Sequence, residues 1–278
     1  MRRGLAPALV GSRLIRVRLA RADLRFPFPD GFAERLEGAL ILALERRAKF
    51  LLAHLDSGET WITHLGMTGR FCLKTRSDGP PLGEYYHDRP PDPKHTHVEM
   101  ETDRGAALAY NDARRFGFMG LMASLEMPSH AWFAGLGPEP LGRDFHAEYL
   151  LKALAGRAQA IKPALLDQRL VAGLGNIYVC EALHHARISP LRPANAIPLP
   201  ALRALTRAIR AVLEAAIAKG GSTLRDYAQA DGSSGQFQDA FRVYDRAGAP
   251  CLRPKCAGQI QRQIQAGRSS FFCPACQK

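Results

Sequence analysis

The sequence predicts an α+β chain in the order β domain, hinge, helical domain and C-terminal cysteine hairpin. Three observations carry this expectation. Short segments of the first half alternate apolar and polar residues with period two and are bounded by turn residues. Residues 201–218 repeat apolar side chains at helical spacing. The last twenty-eight residues hold four of the six cysteines, arranged as two close pairs.

At 278 residues the chain is long enough to bury a sizeable core, and a division into two domains is expected. The first 22 residues contain six arginines and no acid, a composition that also suits an organelle transit peptide. Leu14-Ile15-Arg16-Val17-Arg18-Leu19, however, alternates like a strand with one buried face, so this stretch reads as part of a folded intracellular domain. Segments 50–55 and 61–65 flank Asp56-Ser57-Gly58-Glu59, a hairpin turn by composition. Five prolines with glycines and charges make 74–96 a long irregular loop. Val98, Met100 and Thr102 then alternate with His97, Glu99 and Glu101 before a turn at Asp103-Arg104-Gly105.

Gly135-Leu136-Gly137-Pro138-Glu139-Pro140 has linker composition and places a boundary near 125–142. Beyond it, helices are expected over 145–154 and 161–170. A further helix over 201–218 aligns Leu202, Leu205, Ile209, Val212, Leu213 and Ala216, with Pro200 at its start and Gly220-Gly221 at its end. Between them, Gly173-Leu174-Gly175-Asn176 joins two helices. It reads equally as a glycine-capped turn or as a backbone cradle for a phosphate. Gly232-Ser233-Ser234-Gly235, flanked by Tyr227 and Phe237, reads as a lid over a bound base or as a linker.

Cys251-x4-Cys256 and Cys273-x2-Cys276 are separated by sixteen residues that include Gln-Ile-Gln-Arg-Gln-Ile-Gln, which alternates apolar and polar residues. This spacing reads as a β-hairpin with a cysteine knuckle at each end, suited to one structural zinc held by all four thiolates. Two disulfides are the competing reading, and no secretion signal supports them.

Thirty-eight Lys and Arg against 26 Asp and Glu give a formal net charge of +12. Arginine dominates, and guanidinium groups suit bidentate phosphate contacts, so nucleic acid is the expected partner. A membrane protein is excluded as a class, because no stretch approaches the ~18 uninterrupted apolar residues of a spanning helix. Two segments carry candidate chemistry. Lys49 follows Arg46 and Arg47, neighbours that favour a neutral amine and so an acid–base or amine catalyst, although a solvated surface charge is the commoner reading of such a lysine. Asp112-Ala113-Arg114-Arg115-Phe116-Gly117 joins guanidiniums to an aromatic ring on a turn, suited to phosphate contact and wedging between bases.

Seven segments, in order, resemble the formamidopyrimidine-DNA glycosylase family. They are Arg-Arg-Ala-Lys-Phe-Leu-Leu (46–52), His-Leu-Gly-Met-Thr-Gly (64–69), Lys-His-Thr-His-Val (94–98), Asp-Ala-Arg-Arg-Phe-Gly (112–117), Leu-Gly-Pro-Glu-Pro-Leu (136–141), Gly-Leu-Gly-Asn-Ile-Tyr (173–178) and the terminal Cys-Pro-Ala-Cys-Gln-Lys. The resemblance implies a β-sandwich domain (1–125), a hinge (126–142), a helix–two-turn–helix domain (143–240) and a zinc finger (241–278). It implies a monomeric bacterial repair enzyme of the cytoplasm that acts on double-stranded DNA. Its substrates would be oxidised purines, 8-oxoguanine and formamidopyrimidines, with cleavage of the resulting abasic site by β,δ-elimination.

By the same resemblance, Lys49 is the lysine of β-elimination and phosphate contact, and Arg268 serves the final δ-elimination. His95, Arg114, Arg157 and Asn176 contact DNA. Met67, Arg114 and Phe116 fill the gap left by the flipped-out nucleotide, with Arg114 facing the orphaned cytosine. Cys251, Cys256, Cys273 and Cys276 hold zinc; a spacing of two is commoner for the first pair than the four seen here. The related endonuclease VIII type, which prefers oxidised pyrimidines, lacks the Arg-Arg-Phe-Gly loop. Family members begin Met-Pro-Glu-Leu-Pro-Glu-Val-Glu-Thr before Arg-Arg-Gly, whereas this sequence reads Met1-Arg2-Arg3-Gly4. The nucleophilic proline and its glutamate thus have no counterpart, and a catalytically impaired binder of damaged DNA is the alternative expectation.

Overall fold

The structure, a computed structural model, describes residues 1–75, 92–222 and 235–278. The described residues form two compact units: Met1–Ala134 with Gly220–Gln236, and Gly135–Lys219 with Phe237–Lys278.

The first unit is a sandwich of two antiparallel four-stranded sheets. One sheet runs β1 (Leu14–Leu19), β6 (Thr96–Thr102), β7 (Ala106–Asn111), β5 (Arg70–Thr75); the other runs β2 (Ile41–Arg47), β3 (Phe50–Leu55), β4 (Glu59–His64), β8 (Phe118–Ala123). Their inner faces share one core, to which Val17, Met100 and Leu108 contribute from the first sheet and Leu44, Leu51, Trp61 and Met119 from the second. The Trp61 and Phe71 rings meet edge-on across it, with centroids 5.9 Å apart. Helix α1 (Arg2–Leu9) adds Leu5 and Leu9, one helical turn apart and both buried. A shorter helix, α2 (Phe32–Leu36), adds Phe32 and Leu36.

The expected strand over 14–19 forms, but a register shift at Leu14/Arg16 breaks its alternation. Leu14 and Val17 are buried, and Ile15 is turned out to solvent. Residues 74 and 75, expected in a loop, instead end β5 by pairing with Ala107 and Ala106. Pro93–His95 is a short 3-10 turn capped by the Asp92 side chain, which accepts from the Lys94 N–H at 3.0 Å. The remainder of that expected loop, 76–91, and the expected lid residues Tyr227 and Gly232-Ser233-Ser234 lie outside the described residues.

The second unit is helical: α3 (Ala147–Leu154), α4 (Ile161–Leu166), α5 (Asn176–Ala186) and α6 (Leu199–Ala218). α6 buries Leu202, Leu205, Ile209, Val212 and Ala216, the face read from the sequence. The helix expected over 161–170 stops at Leu166 because Asp167 turns the chain. Its carbonyl accepts from the Leu170 and Val171 N–H groups, and its side chain accepts from the Arg169 N–H at 3.0 Å. The C-terminal hairpin pairs β9 (Gln261–Gln265) with β10 (Arg268–Phe272) through a two-residue turn, where Ala266 and Gly267 have φ of 47° and 72°. The alternation read in β9 does not bury a face; Ile264 remains 68% exposed, and the small core of this module takes Phe271 from β10 together with Val243 and Ile260.

Candidate nucleic-acid interface and cysteine cluster

In the first unit the segment joining β4 to β5 meets the segment joining β7 to β8. The contact leaves no room for a side chain at Gly66 (φ 66°), where a Cβ would lie 2.5 Å from Gly117 N and Phe116 C. Asp112, fully buried, fastens the two segments: it accepts from the Thr68 hydroxyl, from Gly117 N–H at 2.8 Å and from Tyr110 OH at 3.2 Å. Burial raises the Tyr110 phenol well above its ordinary range, and the Asp112 carboxylate adds to this, so the hydroxyl stays a donor. Thr68 Oγ1 in turn accepts from Arg114 N–H at 3.2 Å.

The side chains so placed are Met67, Arg114 and Phe116. Met67 is 66% exposed and Phe116 43% exposed, and the Arg114 guanidinium lies 4.4 Å over the Phe116 ring. Leu24, Arg25 and Arg115 join Arg114 and Phe116 around an open cavity of about 400 Å³. His95 is tied to this cluster by its backbone, since its carbonyl accepts from Asp112 N–H at 2.9 Å. His97 is buried, with Nε2 2.9 Å from the Asp112 carbonyl.

Lys49 is the exposed residue of the two-residue turn between β2 and β3, whose other residue, Ala48, is buried in the left-handed conformation (φ 51°). Its charge reaches His64 at the end of β4. Burial chiefly, then Lys49 and Arg25, lower the His64 imidazole to about 4, so it is neutral near pH 7. The ring lies parallel to Phe118, with centroids 5.1 Å apart, and Nδ1 accepts from Gly66 N–H at 3.1 Å.

In the second unit, α4 and α5 are joined by a stretch whose backbone is satisfied locally. Gly173 N–H donates to Gln168 Oε1 at 2.8 Å, and Gln168 Nε2 donates to the Leu166 and Leu174 carbonyls. The Gly173 amide is therefore committed, and the open approach lies at Gly175, where a Cβ would meet nothing within 4 Å. Asn176, the first residue of α5, donates through Nδ2 to the Ser269 carbonyl at 3.0 Å, and its Oδ1 is buried without a partner. The fully buried Lys162 donates to that same carbonyl at 2.9 Å. Burial lowers the Lys162 pKa, and the charge of the exposed Arg268, next along β10, adds to this. Asn176 and Arg268 are thus brought to one place. Arg157 is elsewhere on the unit, donating to the Ala153 carbonyl at 3.0 Å and 3.5 Å from Asp167.

The four cysteine sulfurs lie within 4.8 Å of one another. Cys251 and Cys276 are 3.8 Å apart and Cys256 and Cys273 3.7 Å, and all four are unbridged, which removes the disulfide reading. A tetrahedron with metal–sulfur bonds of about 2.3 Å has edges of about 3.8 Å, so the donor set fits one zinc-sized ion. Backbone N–H groups of Arg253 and Gly258 donate to Cys251 and Cys256, each two residues back, as thiolate ligands require. The longer first knuckle closes through Lys255 in the left-handed conformation (φ 62°). α5 braces this cluster: Glu181, buried, accepts from the N–H groups of Arg242, Val243 and Tyr244 at 2.8–3.0 Å, and His184 Nε2 lies 3.5 Å from Cys251 Sγ. The sequence alone assigns no role to Thr68, Asp112, Lys162, Glu181 or His184, each of which has a partner distant in the chain.

The formamidopyrimidine-DNA glycosylase N-terminal domain model matches residues 1–119, and the helix–two-turn–helix domain model of the same glycosylase matches residues 136–228. A formamidopyrimidine-DNA glycosylase of Caulobacter sp. (strain K31) is 56% identical over 277 residues, covering 100% of this chain and 96% of the relative. The crystal structure of the MutM (Fpg) protein from Thermus thermophilus superposes with a TM-score of 0.84 at 40% identity, covering 99% of this chain and 95% of that one. Lactococcus lactis Fpg, solved in complex with DNA containing an abasic site, gives a TM-score of 0.85 at 33% identity, covering 100% and 96%.

Proposed function

The chain belongs to the formamidopyrimidine-DNA glycosylase family, and from that premise we propose that it excises oxidised purines from duplex DNA and cleaves the abasic site left behind. It is a base-excision-repair DNA glycosylase. Its substrates are 8-oxoguanine and formamidopyrimidines, and its product is a strand opened by β,δ-elimination. The reading of a catalytically silent binder is not favoured, because relatives named for this glycosylase match along the whole chain.

The observation that carries the reading is the joint presentation of Met67, Arg114 and Phe116 on two segments pinned by Asp112. A damaged base must leave the stack before its glycosidic bond can be reached. The exposed Met67 and Phe116 supply apolar wedges for the vacated space. The Arg114 guanidinium sits over the Phe116 ring, and its N–H groups face the orphaned cytosine. Lys49, His95, Arg157 and Asn176 take phosphates. An amine attacks C1′ of the flipped nucleotide, the base departs, and a Schiff base with the opened sugar sets up the eliminations served by Lys49 and Arg268. The cysteine cluster holds one structural zinc, which rigidifies the hairpin bearing Arg268 and takes no part in the chemistry. The setting is the bacterial cytoplasm, with the protein acting as a monomer on chromosomal DNA; among the described residues no helix is long and apolar enough to cross a membrane.

The test is borohydride reduction of the native protein with a duplex holding 8-oxoguanine opposite cytosine. A covalent protein–DNA adduct and release of the free base are expected. Tight binding with neither product would return the reading to a silent binder.

A further inference from the structure

We propose that His184 is a positioning residue of the cysteine metal site, donating its Nε2–H to the Cys251 thiolate and thereby tying the bound ion to helix α5. The inference rests on the zinc reading above and names a residue of this chain that serves it.

Four thiolates around a dication leave a net charge of −2 in a small, largely buried cluster, and donors aimed at the sulfurs offset it. Most such donors here belong to the cysteine module itself. The Arg253 and Gly258 backbone N–H groups donate to Cys251 and Cys256, and the Arg253 side chain donates to Cys276. His184 comes from outside. It is fully buried on the last turns of α5, and its Nε2 lies 3.5 Å from Cys251 Sγ, within the reach of an N–H···S bond. A metal-bound thiolate has no proton to give, so the hydrogen of this contact is on Nε2. The other ring nitrogen, Nδ1, is buried without a partner, which leaves the contact with Cys251 as the polar engagement of the ring. The His184 carbonyl is held as well, accepting from the Arg253 guanidinium, so the cysteine module also grips the α5 backbone at this residue.

The consequence is directional. α5 begins at Asn176, which bonds the hairpin at Ser269, and in its last turn carries His184, which bonds the metal site at Cys251. Glu181 between them takes three backbone N–H groups of residues 242–244. The helix is thus pinned to the metal module at both ends and in the middle, and the His184 contact alone reaches a ligand atom.

The experiment compares the full-length wild type with His184→Leu, His184→Gln and His184→Asn. Zinc per chain, the rate of zinc transfer to a chromogenic chelator and the sulfur-to-metal charge-transfer band of the cobalt(II)-substituted protein are measured. The Gln side-chain amide reaches about as far as Nε2 and keeps the donor; the Asn amide stops short. Leu and Asn should release zinc about ten times faster or more, the range for loss of a partner behind a ligand. Their cobalt charge-transfer band should move to lower energy, since an unbonded thiolate is a better electron donor. Gln should restore both. If Leu does not fold, the Asn–Gln pair decides on the same readings. Release rates and bands equal to wild type in Leu or Asn would overturn the proposal, as would Gln behaving like Asn. Wild type purified without zinc would instead sink the metal reading, and this inference with it.

Discussion

The Thr68 hydroxyl donates to the Asp112 carboxylate, two residues 44 apart in sequence, and so joins the turn carrying Met67 to the loop carrying Arg114 and Phe116. Neither loop has a strand ladder of its own at this point. Their relative position depends on one buried carboxylate and the donors around it.

Asp112→Asn should therefore loosen the wedge without touching a DNA-facing side chain. An amide nitrogen would confront donors at Gly117 N–H or Thr68, leaving at least one unpaired in a buried site. The expected loss is about 2–3 kcal/mol, or roughly 4–12 °C in Tm for a chain of this size, together with weaker binding of lesion duplexes. Differential scanning calorimetry and fluorescence anisotropy check both. An unchanged Tm would show that the carboxylate is not the fastener.

Met67→Ala should do the opposite. With two-thirds of the residue already exposed, its removal should shift stability by no more than about 0.5 kcal/mol. Excision of 8-oxoguanine should nevertheless slow by about tenfold as base extrusion loses its wedge. Single-turnover excision beside thermal melting separates the two effects.

Arg114 and Arg157 should fail in different ways. On the proposed reading Arg157→Ala removes a phosphate contact, lowering affinity on all duplexes alike and reducing the salt slope by about 1. Arg114→Ala should also erode the preference for cytosine opposite the lesion, by about 1–3 kcal/mol. Titrations against each opposing base at several salt concentrations read this out. The same factor on every duplex for both variants would refute the base-reading role.

His64 should make the first unit acid-sensitive. Its folded pKa, held down to about 4, lies below the ordinary histidine value of about 6.5, so between these pH values the unfolded chain binds more protons. The stabilisation is complete above about pH 6.5 and is lost as pH falls towards 4. Its size is roughly 1–3 kcal/mol, and His64→Gln should flatten that part of the profile. Urea denaturation at half-unit pH steps provides the measurement.

Cys273→Ser should lose both the metal and DNA affinity, because a folded hairpin without its ion has only a small core. Elemental analysis and binding assays decide it; a zinc-free protein with normal DNA affinity would contradict the structural role.

Sequence made α6 legible because its apolar residues recur over twenty positions, long enough for the helical period to stand out. Strands β7 and β8 were not legible: Ala-Ala-Leu-Ala-Tyr-Asn and Phe-Met-Gly-Leu-Met-Ala are short apolar runs that suit helix or strand alike. The cysteine cluster was readable from spacing, since both knuckles are local. Arg114 and Phe116 were legible from the residues as a guanidinium-and-ring turn suited to wedging, Met67 only through resemblance, and the fastening role of Asp112 through neither. A lone aspartate before two arginines carries no periodic or spacing signature, and its fastening role depends on Thr68, 44 residues away, arriving by tertiary folding.

The Ser269 carbonyl accepts from both Lys162 Nζ and Asn176 Nδ2. A single acceptor with two donors is a redundant fastening. If the Asn176 amide is recruited by another acceptor, the hairpin keeps its hold on the helical unit through Lys162. Asn176 can therefore exchange partners without releasing the strand that bears Arg268, which makes Lys162 the standing tether and Asn176 the interchangeable one.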